Sequence, residues 1–137
     1  MAEGRFASSD DGERGSAVVE FVLVSLLIVL LLLAVLQVAV YVHVRNVVTA
    51  SAQEGARYGA NADVDSGAGA GRTLEVVGRA TSEGTARGLA CSSTEEVDGT
   101  GLTLVVVRCS GSVPSLLGAL GNLLPLDVTG RAVKETA

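Results

Sequence analysis

Glu20 is the last acid before a long uncharged run: from Phe21 to Val44 the sequence contains no Asp, Glu, Lys or Arg. A carboxylate at the mouth of such a run invites a chemical reading, because an acid at the centre of a bilayer costs about 2.5–3.5 kcal/mol on insertion scales and less near an interface. A group in that position either flanks the helix and reaches into the headgroups, or is paired and used. Its surroundings are distinctive. Gly15 lies five positions earlier, at the junction between a polar segment and the apolar run, and the aromatic Phe21 follows the acid directly. Two cysteines, Cys91 and Cys109, form a second pair of reactive groups, and both lie after the apolar block. An even count in an exported domain favours one disulfide, whereas two free thiols are the expectation in the cytosol.

Other candidate sites weaken on inspection. Asn61, Asp63 and Asp65 imitate the opening of a calcium loop, but Ser66 stands at the sixth position and Arg72 at the twelfth, where Gly and Glu are needed. Gly67 to Gly71 lacks the Gly-Lys-Ser/Thr ending of a phosphate loop, and the only lysine is Lys134. His43 is the single histidine and reads as an interfacial residue at a helix exit. No catalytic residue, cofactor site or metal site is expected. A formal net charge of -5 argues against nucleic acid as a partner.

The elements that must position Glu20 follow from periodicity. Phe21 to Val42 spans about 33 Å as a helix, enough for a hydrocarbon core of about 30 Å, so a membrane helix is expected over 21–44. The helical pattern continues beyond it. Val44, Val47, Val48, Ser51, Gly55, Tyr58, Gly59 and Ala62 share an apolar or small face, and Asn46, Thr49, Gln53, Glu54 and Arg57 share the other. Glu54 and Arg57 are spaced for a helical ion pair. Ser51, Gly55 and Gly59 repeat every four residues, a spacing that permits close approach of another helix. A continuous helix is therefore expected from about Ser16 to Ala60.

On either side the chain changes character. Residues 1–15 are polar, lack periodicity and read as disordered. Residues 61–71 form a Gly-rich, turn-rich linker. The remainder, 72–137, predicts a small α+β domain: a helix over 72–90, a β-branched strand over Leu102–Arg108, a short apolar helix over 113–124 between Pro114 and Pro125, and a second strand over Leu126–Glu135. Aromatic residues make up only 3% of the chain, so the core is thin and a covalent staple is valuable.

The segment Arg14-Gly15-Ser16-Ala17-Val18-Val19-Glu20-Phe21 resembles the processing site of type IV prepilins, in the form shared by Flp pilins and TadE-like pseudopilins. The stretch Ala50 to Ala60, with Gly55-Ala56-Arg57 at its centre, is similar to the A-x-x-G-A-R-x-A block that ends the long helix of TadE-like proteins. Together the two blocks cover about residues 14–60. Many relatives carry a proline a few residues after the aromatic, where Ser25-Leu26 stand here.

What the resemblance implies is specific. A prepilin peptidase cuts between Gly15 and Ser16 and removes 1–15 as a leader. The freed amine of Ser16 has a reference pKa of about 7.7–8.0, so it carries a charge that Glu20 can neutralise, within one helix or between neighbours. Glu20 and Phe21 then act in assembly and recognition. The expected partners are the peptidase, other pilin-like subunits, an inner-membrane assembly platform and the lipid bilayer. The N-terminus is placed in the cytoplasm, and the C-terminal domain outside the cell membrane.

Two rival readings stay open. An uncleaved single-span anchor would leave residues 1–15 in place. Alternatively, Ala50-Ser51-Ala52 resembles a signal-peptidase site whose use would release a secreted domain, although the apolar run exceeds a 7–15-residue signal core. Arg5 and Arg14 before the span balance Arg45 and Arg57 after it, so charge alone does not fix orientation.

Overall fold

One helix, α1, runs from Asp10 to Ala60. It is followed by α2 (Ala68–Ala80), a one-turn α3 (Glu83–Arg87), and three strands, β1 (Leu89–Val97), β2 (Thr103–Val113) and β3 (Leu124–Val133). The structure, a computed structural model, describes residues 10–113 and 124–136. The chain divides into two compact units, one ending at Leu36 and the other starting at Gln37.

In the first unit the side chains from Gly12 to Leu36 are all exposed or half-buried. Their apolar window has a mean hydropathy of 3.1, with 0% of it buried inside the protein. Phe21 is 72% exposed. Removing such a surface from water is worth about 25 cal/mol per Å², and within this unit no protein layer does it. The helix starts six residues before the expected Ser16, taking in Asp10 to Gly15, which the sequence reading assigned to a disordered segment. Helix propagation needs only one added hydrogen bond per residue once a nucleus exists, and the aliphatic run supplies that nucleus.

The second unit is built on a stripe. Val44, Val48, Ala52, Ala56 and Ala60 recur every four residues along α1 and are all buried. They face a three-stranded antiparallel sheet in the order β1-β2-β3. Alternation along the central strand sends Val105, Val107, Cys109 and Val113 to one face, each fully buried, and β3 adds Leu126 and Val128. Val77 of α2 closes the same cluster. The resulting α+β arrangement is the fold class expected from the sequence.

Inside that class several elements differ from expectation. The 72–90 helix is two pieces: α2 begins at Ala68, inside the expected linker, and ends at Ala80, capped by Thr81, whose hydroxyl donates to the Val77 carbonyl at 2.8 Å. Ser82 then caps α3 by accepting the Thr85 N–H. Leu89 to Val97, read as the end of a helix and a loop, is an edge strand paired with β2 along its whole length. The strand expected over 102–108 extends to Val113, and the last strand is Leu124–Val133. The expected apolar helix between Pro114 and Pro125 lies outside the described residues; its two flanks, Val113 and Leu124, are a cross-strand pair.

Candidate functional site

Three groups of residues were singled out by chemistry: the Gly15–Phe21 segment, the small-residue face of α1, and the cysteine pair. The first lies wholly in the N-terminal unit. Gly15, Ser16, Glu20 and Phe21 are all helical and exposed. A Cβ added at Gly12 or Gly15 would meet nothing within 4 Å. Packing among the described residues therefore does not demand either glycine. Glycine inside a helix costs about 0.5–1 kcal/mol relative to alanine. Gly15 thus weakens the helix at the bond where cleavage is expected, and an enzyme that binds an extended strand has less helix to undo. Ser16 and Glu20 stand four residues apart, the spacing at which helical neighbours meet.

The small-residue face is packed within the second unit. A Cβ at Gly55 would lie 1.9 Å from the Thr73 Oγ1 and 2.5 Å from the Gly69 carbonyl oxygen of α2. At Gly59 it would meet the Ser66 carbonyl oxygen at 3.0 Å. Glycine is required there because α2 crosses at backbone contact. The helix that this groove accepts is therefore α2 of the same chain. Ser51 is buried and satisfies its hydroxyl by donating to the Val47 carbonyl at 2.8 Å. One residue on, Ala52 meets Gly130 of β3, where an added Cβ would stand 2.3 Å from the Ala52 carbonyl oxygen. The Ala50–Ala60 block is thus a packing surface on two sides.

Polar contacts tie down its rim. Glu54 does not pair with Arg57 as helical spacing suggested; its carboxylate faces Arg72 of α2 at 3.8 Å. The Arg72 guanidinium also sits 5.6 Å from the centroid of the Tyr58 ring. Lys134 is the contact that sequence reasoning missed. Its ammonium donates to the carbonyls of Gly59, Asn61 and Val64 at 2.9, 3.2 and 2.7 Å. These oxygens surround the C-terminus of α1, where carbonyls lack helical partners and the dipole favours a cation. Beside it the Glu135 N–H donates to the Ala60 carbonyl at 2.8 Å. The end of the chain thereby locks the end of the long helix. A lone lysine 74 residues downstream of Ala60 leaves no local signal for this contact.

Cys91 and Cys109 are disulfide-bonded, with their Cα atoms 4.1 Å apart. They are direct cross-strand partners of β1 and β2. The bridge joins two strands, because the residues before Cys91 are extended. Closing a loop of this length is worth about 3 kcal/mol in the chain-entropy model. At the far end of the same hairpin, Asp98 accepts from the Thr100 hydroxyl, the Leu102 N–H and the Thr100 N–H at 2.6, 3.0 and 2.8 Å. These bonds, the Thr100 hydroxyl foremost, hold its carboxyl below the usual value of 3.8. Gly101, with φ of +87°, makes the turn.

Comparison with known families picks out the region that carries both motifs. Residues 15–57 match the TadE-like protein family. The match opens on Gly15 and closes on Arg57, so it contains the Gly15–Phe21 segment, the apolar run and most of the small-residue face. No curated protein matches the chain, and no solved structure matches it. The TadE-like segment is therefore the long helix, and the sheet that packs on its second half lies outside the match.

Proposed function

We propose that this chain is a TadE-like, pilin-like minor subunit or assembly factor of a Tad/Flp-type type IV pilus, anchored in the cell membrane before it joins the machine. The observation that carries the reading is the TadE-like match over 15–57, whose apolar stretch is buried by nothing among the described residues. The chemistry agrees. A lone acid opens the run, a glycine with no packing role precedes it by five residues, and the next domain is folded around an oxidised cysteine pair. Disulfides persist in oxidising compartments, which supports an extracytoplasmic C-terminal domain and a cytoplasmic N-terminus.

In this reading a prepilin peptidase cuts between Gly15 and Ser16, and the new Ser16 amine pairs with Glu20 of its own or a neighbouring helix in low dielectric. Partners are other pilin-like subunits and the inner-membrane platform. The protein acts by assembly, with no catalytic role. Release by signal peptidase after Ala52 is disfavoured by the fold: the cut would remove Val44, Val48 and Ala52 from the core of the outer domain.

Glu20→Gln tests the reading against a plain anchor. The substitution keeps size and hydrogen bonding but removes the charge. A plain anchor tolerates it or gains, since an acid at the membrane edge is costly. A pilus component bearing it still inserts, is still cut after Gly15, and loses crosslinking to partner pilins and support of piliation. Normal piliation in a fully processed Glu20→Gln strain would refute the pairing role.

A further inference from the structure

The sheet has two edges, and α1 closes only one of them. The Lys134 N–H donates to the Thr103 carbonyl, so the odd-numbered residues of β2 bond to β3. By the alternation of an antiparallel ladder its even-numbered residues then bond to β1. The odd-numbered residues of β3 and of β1 therefore turn their backbone groups outward. On β3 that edge is occupied. Pro125 has no N–H to offer, and its carbonyl accepts from the Tyr41 hydroxyl at 3.1 Å. The Arg131 N–H donates to the Gln53 Oε1 at 3.4 Å, and just past the strand the Glu135 N–H reaches the Ala60 carbonyl. Between these points α1 packs so closely that a Cβ on Gly130 would stand 2.3 Å from the Ala52 carbonyl oxygen.

On β1 the edge is open. Cys91, Ser93 and Glu95 point their backbone N–H and C=O groups away from β2, and no described residue bonds to them. Ser66 holds the strand by its side chains alone: its carbonyl accepts from the Ser93 hydroxyl, and its hydroxyl donates to the Glu95 carboxylate. An edge of this kind pairs with any extended chain unless its side chains select one. Here they are acidic. Glu95 is exposed, as is Asp65 beside Ser66. Arg108 pairs with Glu96 at 2.7 Å, but neither Glu95 nor Asp65 has a cationic partner among the described residues. A second copy of β1 does not supply one. Set in parallel register it would put Glu95 beside Glu95, and paired antiparallel about Ser93 it would put Cys91 there.

We propose that the β1 edge is a strand-addition site for an extended, basic segment of another protein. Its backbone bonds to Cys91, Ser93 and Glu95 extend the sheet, and a Lys or Arg meets Glu95 and Asp65. The surface belongs wholly to the second unit and serves whether or not α1 is a membrane anchor.

Amide hydrogen exchange on the full-length, disulfide-oxidised chain in detergent micelles reads this edge residue by residue. In the free chain the Ser93 and Glu95 amides should exchange far faster than those of Ser92 and Thr94, which bond to β2. The probe is a synthetic peptide of alternating Val and Lys, as long as β1. At a concentration about ten times its Kd it should slow Ser93 and Glu95 about tenfold and leave Thr129 on the β3 edge unchanged. The same peptide N-methylated at alternate residues keeps its charge, loses its strand donors and should slow neither. Glu95→Lys should weaken the effect several-fold while Ser92 and Thr94 stay protected, which shows the sheet intact. A Val-Lys peptide that leaves exchange unchanged, or a Val-Glu peptide that slows it equally, overturns the proposal. So does slow exchange at Ser93 and Glu95 in the free chain: if it deepens with protein concentration the occupant is a second copy, and if it does not the chain covers the edge itself.

Discussion

Asp98 shows how much a single side chain can organise in a domain with few large residues. Its carboxylate gathers two backbone N–H groups and one hydroxyl within five residues of chain, and so closes the hairpin that carries the disulfide. Because these bonds favour the charged form, the folded-state pKa lies below the unfolded one. The sign of the linkage follows: the contribution is complete above the unfolded value of 3.8 and is lost as pH falls through the lower, folded value. The Thr100 and Leu102 amide resonances should titrate with a midpoint under 3.8, and Asp98→Asn should abolish that titration. A midpoint at or above 3.8 would show that the carboxylate does not hold the turn. Lys134 works on the same principle at the other end of a chain segment, since one ammonium serves three carbonyls at the close of α1. A charge-assisted bond of this kind is worth about 1.5–3 kcal/mol.

Among the elements, the second half of α1 decides the fold of the second unit, and Gly55 is its most constrained position. Gly55→Ala forces a methyl into Thr73 and the Gly69 carbonyl, an overpacking that costs about 1–3 kcal/mol. Gly71→Ala, on the open side of α2 with nothing within 4 Å, should instead stabilise by about 0.5–1 kcal/mol through lower backbone entropy in the unfolded chain. Chemical denaturation of the two variants separates them; equal midpoints would contradict the close crossing of α1 and α2. The long helix was legible in the sequence because a 3.6-residue period sustained over many turns leaves little ambiguity. Its buried face was legible only in part: Val44, Val48, Ser51, Gly55 and Gly59 are buried as expected, whereas Tyr58 and Ala62 are exposed and Ala52, Ala56 and Ala60, not assigned to that face, are buried. What filled that face was not legible, since spacing alone does not distinguish α2 from a foreign helix. β1 escaped notice for a different reason. Ser92, Ser93, Thr94, Glu95 and Glu96 are polar, as befits an edge strand with solvent on one side, and they hide the alternation of Leu89, Cys91 and Ser93. The Asp98-Gly99 dipeptide, followed by the strong strand Leu104–Val107, was the signal available for a hairpin.

The two compact units present different surfaces. Up to Leu36 the helix presents aliphatic side chains that no described residue covers; from Gln37 onward it buries a narrower stripe under a stapled sheet. A membrane-anchored subunit that is later drawn into an assembly needs both, an apolar stem that exchanges lipid for neighbouring stems and an outer domain that keeps its fold throughout. Maturation at Gly15 is the step that separates this account from an ordinary anchor or a secreted domain. The decisive measurement is the intact mass of the chain from cells with and without a prepilin peptidase, with the disulfide left oxidised. With the peptidase present, the protein should shorten to a form beginning at Ser16, carrying Glu20 as its fifth residue. A chain that keeps residues 1–15 in the presence of the peptidase, or one that begins at Gln53, would contradict it.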